Sequence, residues 1–235
     1  RFYILDKYDR VLKSLESDIN YADVILYDGK VTSQVPADYT RLQGIELISL
    51  GVESYISKAA TPMSDPYALR SIEFVGQNLV KAVQDNEAIN LRMNLCTGAI
   101  MGSIALNHSA PGITYALALA LASVFGVYQG IVNAILLPQV MEFNLTSVPQ
   151  RYVSIAKAFG EQTGELTVVE AAIKSIESIR KIMFNLKVPQ KLSELDIDKG
   201  KFYDVASIAK GYDFLHYLPR AVSKDDIYNI LTSAY

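Results

Sequence analysis

Two histidines, His108 and His216, and one cysteine, Cys96, are the chain's whole supply of imidazole and thiol groups, so nucleophilic or metal chemistry has few places to sit. No His-Glu-x-x-His zinc motif can be assembled, and a Ser-His-Asp triad would have to use one of these two histidines. His108 lies in Asn107-His108-Ser109, just before Pro111-Gly112. A helix should end there, and a partly exposed histidine at such an end is favoured by the helix dipole. His216 lies in Phe214-Leu215-His216-Tyr217 ahead of Pro219, a setting that suits a core or rim histidine. Nothing cradles a phosphate unaided: there is no Gly-x-Gly-x-x-Gly after a strand, no Gly-x-x-x-x-Gly-Lys-Ser/Thr loop and no Gly-x-Ser-x-Gly elbow. The adjacent acids Asp225 and Asp226 follow Ser223 and Lys224 and read as first-turn carboxylates of a capped helix. Asn144-Leu145-Thr146 matches a glycosylation acceptor, which has meaning only in a secreted chain.

Composition narrows the classes further. With 22 basic and 25 acidic residues the formal charge is -3, and no basic run is interleaved with aromatics, so nucleic acid is not an expected partner. A single cysteine gives no disulfide framework and fits a reducing, cytoplasmic compartment. The chain opens Arg1-Phe2-Tyr3, without methionine or leader, and is expected to be a fragment rather than a secretory precursor. Residues 113–140 carry no formal charge, long enough by the usual ~20-residue criterion for a membrane span. Ser123, Gly126, Gln129, Gly130, Asn133 and Pro138 interrupt that stretch and no basic or aromatic anchor flanks it, so it reads as a buried helix pair.

The elements that would position any site are mainly helical. Phe2–Leu5 and Val24–Tyr27 are short β-branched and aromatic runs that predict two strands. After Pro36 the pattern turns helical and stays so. Ser64-Asp65-Pro66 predicts a helix start, followed by Leu69, Ile72, Gly76, Leu79 and Val83 at helical steps. A further helix covers Glu87 to Leu106, where Gly98 and Gly102 allow another helix backbone to approach closely. After Gly164, Leu166, Val169, Ile173 and Ile176 predict an apolar stripe, with Glu170/Lys174 and Glu177/Lys181 on a solvated face.

Four blocks, in order, resemble the iron-containing alcohol dehydrogenase family. Asp23-Val24-Ile25-Leu26-Tyr27-Asp28 followed by Leu42-Gln43-Gly44-Ile45-Glu46 is similar to the family's strand and its Gly-Ile-Asp-Ala-Leu-Thr-His-Ala-Ile-Glu helix, which continues here to Glu53 and Tyr55. Thr61 to Pro66 resembles the loop after that helix. Gly130-Ile131-Val132-Asn133-Ala134-Ile135-Leu136-Leu137-Pro138, then Phe143-Asn144, is similar to the family's Pro-His-Gly segment with its Asn-Ala-Ile-Leu-Leu-Pro continuation. Leu218-Pro219-Arg220 with Asp225-Asp226-Ile227 resembles its closing Asn-Pro-Arg and Glu-Asp-Ile. The resemblance implies a mainly α fold of the dehydroquinate synthase-like type. Residues 1–36 would be a remnant of the nucleotide-binding domain, with a short β remnant, and residues 37–235 the all-helical domain.

The family holds a divalent metal with one aspartate and three histidines. The matching positions here are Glu46, Leu50, Tyr115 and Gln129, and the further cleft histidine four residues after the first is Leu119. Glu46 could still ligate, as an acid does in the related dehydroquinate synthases, but leucine has no lone pair and tyrosine or glutamine bind divalent metals poorly. Iron or zinc is therefore not expected. Leu50, Leu117, Leu119 and Leu121 are expected to fill the cleft. The family's glycine-rich nucleotide loops match nothing in the chain, so NAD(P) is implied only where an N-terminal nucleotide-binding portion is present. Lys13 falls where the family has a lysine facing the nucleotide and is the one cofactor contact the resemblance implies; a solvated surface lysine is the alternative reading. Two readings stay open: a divergent oxidoreductase that runs without a metal or uses another acid such as Tyr115, and a noncatalytic scaffold that supports self-association as a homo-oligomer.

Overall fold

A computed structural model of the chain describes residues 2–5, 11–15 and 22–235. It opens with an antiparallel hairpin of β1 (Phe2–Leu5) and β2 (Leu12–Leu15), in which Ile4 lies opposite Lys13. One predicted strand is thus in place and the other is not: residues 24–27 have no sheet partner among the described residues, and Val24 and Leu26 are 74% and 90% exposed. Strand propensity alone does not make a strand, because the ladder needs a neighbour to receive its N–H and C=O groups.

Helices follow: α1 (Gly29–Ser33), α2 (Ala37–Ile56), α3 (Asp65–Gln84), α4 (Ile89–Asn107) and α5 (Ile113–Phe125). Then come α6 (Gln129–Leu145), α7 (Pro149–Ala158), α8 (Val168–Asn185), α9 (Phe202–Lys210) and α10 (Lys224–Ser233). Short 3-10 turns at Leu192–Glu194, Lys199–Lys201 and Asp213–Tyr217 link the last three. The architecture is mainly α. The short helix α1 begins before Pro36, where the sequence pattern gave no helical sign.

Two apolar cores divide the helices. The first gathers Ile45, Ile48 and Val52 of α2, Ile72, Val75 and Leu79 of α3, Tyr152 and Ile155 of α7, and Ile176 and Ile179 of α8. The second is built by α5, α6, α9 and α10 around Leu117, Leu121, Leu136, Phe202 and Leu231. Helix α5 and α6 as far as Val140 are the uncharged stretch, folded back on itself at Gly126, whose φ of 68° is the left-handed conformation that glycine enters without penalty. Among the described residues no helix is long and apolar enough to cross a membrane.

Close helix contact is set by missing side chains. A Cβ on Gly98 would stand 2.5 Å from Val75 Cγ2, and one on Gly102 would stand 2.7 Å from Ser71 Oγ, so the two glycines let α4 lie on α3. Capping boxes start α8 (Thr167 with Glu170) and α10 (Ser223 with Asp226). The α8 stripe differs from expectation. Val169 and Ile173 are exposed, and the buried face is Ala171, Ala172, Ser175, Ile176, Ile179 and Ile182. Its outer face is solvated, but Lys174 pairs with Glu177 at 2.8 Å while Glu170 folds back onto the cap.

Candidate functional site

Helix α2 carries the family's first two metal positions one turn apart, and its packing on α6 and α5 brings the starts of those helices alongside. Glu46 is half-buried, and burial pushes its carboxyl above the ordinary value. Among the described residues no N–H, O–H or cation donates to it. Its electrostatic neighbour is Tyr128, whose phenol is held above its ordinary value by burial first and then by the Glu46 charge. Leu50, one turn on, is half-buried and offers no donor atom. Gln129, the first residue of α6, is half-buried as well.

Tyr115 belongs to an aromatic row. Its buried ring lies 6.0 Å from Phe214, which stacks at 5.3 Å on Tyr212. The Tyr212 hydroxyl donates to the Leu12 carbonyl at 3.0 Å, and the Leu12 amide donates to Ser123 Oγ at 3.1 Å, so this row and α5 tie the hairpin to the helices. Leu117, Leu119 and Leu121 have no exposed surface. Leu50 does not share that burial, so the expected apolar filling comes from α5 and not from α2.

The remaining candidates are scattered. His108 caps the end of α4 and is exposed; His216 sits exposed on a 3-10 turn, at the rim and not in the core. Cys96 is buried on α4. Asp226 closes the α10 capping box, and hydrogen bonds from Ser223 hold its carboxyl below the ordinary value. The side chain of Lys13 lies outside what the structure describes.

A carboxylate to which the sequence reading gave no role is the most completely held acid among the described residues. Glu53 of α2 is 2% exposed and accepts the amides of Gly112 at 2.9 Å, Thr114 at 2.6 Å and Tyr115 at 3.3 Å. Burial raises its pKa, and those hydrogen bonds act in the opposite sense. It neutralises the positive end of α5 and leaves no open space around its carboxylate, so its part is structural. The signal available in the sequence was Glu53 itself, seven residues beyond Glu46 on one helix.

A divalent metal does not fit these residues. One partly buried carboxylate, a leucine, a tyrosine ring in an aromatic row and a glutamine do not make an oxygen or nitrogen cage. Among the described residues no group of three or more His, Cys, Asp or Glu converges elsewhere.

Comparison with known proteins places this geometry. The chain is 29% identical over 216 residues to 1,3-propanediol dehydrogenase of Citrobacter freundii, covering 92% of this chain and 56% of that protein. It is 27% identical over 239 residues to alcohol dehydrogenase 4 of Saccharomyces cerevisiae, covering 100% of this chain and 61% of that one. The crystal structure of a 1,3-propanediol oxidoreductase superposes with a TM-score of 0.87 at 28% identity, over 88% of this chain and 55% of that one. An archaeal halo-thermophilic alcohol dehydrogenase from a Red Sea brine pool shares the fold, with a TM-score of 0.92 at 22% identity, over 99% and 60%. The chain thus spans little more than half the length of these relatives. A sequence model of the C-terminal part of the Fe-containing alcohol dehydrogenase family matches residues 41–235, and the chain belongs to that family.

Proposed function

We propose that this chain is the helical part of a divergent oxidoreductase of the family that no longer holds a divalent metal, and that its former metal positions serve packing. The observation that carries this reading is the donor set itself: Glu46 without a hydrogen-bond donor among the described residues, Leu50, Tyr115 against Phe214, and Gln129. In the family the metal acts as a Lewis acid on the alcohol or carbonyl oxygen, chemistry that a leucine and a glutamine at two of the four positions do not supply.

The exposed apolar run Val24–Tyr27 supports the division at residue 36. The resemblance puts a strand of the nucleotide-binding domain there, and a nucleotide-binding portion supplying NAD(P) and a neighbouring strand would cover it. A cytoplasmic location accords with the single buried cysteine.

The second reading, a noncatalytic scaffold acting in self-association, draws support from the full burial of Leu117, Leu119 and Leu121. A catalytic cleft requires convergent polar groups in an open pocket, and those residues supply apolar packing instead.

Metal-dependent thermal stability tests the metal reading without calling on the nucleotide-binding half. Iron or zinc should leave the melting temperature of this chain unchanged. The variant Leu50→His/Tyr115→His/Gln129→His, which restores the family's imidazoles beside Glu46, should gain a metal-dependent rise. A stoichiometric stabilisation of the unaltered chain that Glu46→Gln removes would overturn the proposal.

A further inference from the structure

Behind α2, on the side of α1 and α4, lies a cavity of about 170 Å³ whose lining includes Thr32, Thr40, Leu47, Arg92, Leu95 and Cys96. None of the four metal positions lines it. Its walls are largely aliphatic, and its one charged group is the guanidinium of Arg92, 3% exposed.

That guanidinium lacks a counter-charge. Its Nη1 donates to Thr40 Oγ1 at 2.6 Å, its Nε to the Asn86 carbonyl at 3.2 Å and its Nη2 to the Val35 carbonyl at 3.4 Å. All three acceptors are neutral, and among the described residues no carboxylate pairs with it. A buried charge normally keeps a partner of opposite sign, because removing an ion from water without one is costly. Arginine stays protonated even so, and the three bonds leave N–H hydrogens over.

We infer that this cavity binds a short aliphatic monocarboxylate, its carboxylate on the free N–H groups of Arg92 and its chain along Leu47 and Leu95. The anion would supply the missing charge through charge-assisted hydrogen bonds, while the apolar wall would take the hydrocarbon out of water. The volume sets the ligand's size: drug-sized molecules occupy pockets of ~300 to 1,000 Å³, so a chain of a few carbons is what this cavity accommodates. A primary ammonium of equal length would meet a like charge, and an alcohol would leave the charge unpaired. This inference does not depend on whether the metal has been lost.

Cys96 lines the cavity and is the chain's sole cysteine, so its alkylation reports occupancy directly. Hexanoate should slow modification of Cys96 by a small alkylating reagent to a saturating limit. Hexanol should need at least ~10-fold more, and hexylamine should not protect. Arg92→Met would remove three structural hydrogen bonds and unfold the region, so the second variant is at Ala99, which also lines the cavity: Ala99→Phe fills it and leaves those bonds in place. In calorimetry Ala99→Phe should abolish hexanoate binding while its unfolding transition stays cooperative. Equal protection by hexanol and hexanoate, no saturable protection by hexanoate, or unchanged hexanoate binding by Ala99→Phe would each overturn the inference.

Discussion

Two glutamates two turns apart on α2 occupy opposite situations. Glu53 is buried and holds three backbone amides at the start of α5, whereas Glu46 is half-buried beside Tyr128 and receives no donor among the described residues. Burial raises both pKa values, but only Glu53 has hydrogen bonds that oppose the rise. The difference teaches how a carboxylate's surroundings on one helix decide whether its burial is compensated. A carboxylate that completes a helix end is needed for the helices to pack. One at a position where the family holds its metal carries a desolvation cost that no hydrogen bond among the described residues offsets.

Truncating the well-held acid should give the largest effect. Glu53→Ala leaves the amides of Gly112, Thr114 and Tyr115 buried without an acceptor, and at ~1 to 3 kcal/mol for each orphaned group the expected loss is about 3 kcal/mol or more in urea unfolding. A loss below that of an average surface substitution would break the comparison.

Crowding the same carboxylate should cost less. A Cβ on Gly112 would lie 2.7 Å from Glu53 Oε1, so Gly112→Ala must displace the carboxyl from its donors, at about 1 to 3 kcal/mol. The two substitutions act on one contact, so a double-mutant cycle should show them non-additive. Simple additivity would separate the glycine from the glutamate.

Asp226 gives a smaller, exposed counterpart to Glu53. Ser223→Ala removes its capping partner and should cost about 1 kcal/mol. Because Asp226 is held below its ordinary value, the stability it contributes is present above the unfolded value of 3.8 and is lost as pH falls through its lower folded value. The gap between urea melts of Ser223→Ala and the unaltered chain should therefore narrow at acid pH without closing, because the Asp226 amide still donates to Ser223 Oγ in the unaltered chain.

Glu46 should show the smallest effect and the opposite sign. Its raised pKa makes the ionised form a cost in the folded state, a cost absent below the ordinary value of 4.5 and incurred as pH rises through the folded value. Glu46→Gln should leave the chain as stable or slightly more stable at neutral pH, with no difference in acid. A destabilisation at neutral pH would mean that Glu46 has a partner after all.

Much of this fold was legible because several local signals agreed. The α3 start at Ser64-Asp65-Pro66, the Ser223 cap of α10 and the close glycines of α4 each carry a cap, a backbone constraint or a period in a few residues. Val24–Tyr27 misled because β-branched residues signal a willingness to pair, not the presence of a partner. The β2 strand Leu12–Leu15 went unread because Lys13 and Ser14 dilute its pattern. On α8 the stripe was phased from Leu166, which precedes the Thr167 cap, and the first turns of the true buried face are Ala171, Ala172 and Ser175, small residues that large-residue periodicity overlooks before Ile176, Ile179 and Ile182.

The site was legible only by position. The four metal positions could be named from the sequence, but the aromatic row at Tyr115 joins α5 to a 3-10 turn about a hundred residues on. Arg92 looked like any helix arginine, since nothing in its neighbours marks it as buried without a counter-charge.

Metal content bears most directly on the central claim. Plasma mass spectrometry of the full chain, purified without chelator and after exposure to iron or zinc, should find far less than one ion per chain. One tightly held iron or zinc per chain, lost on Glu46→Gln, would contradict the account and restore the family's Lewis-acid chemistry to this site.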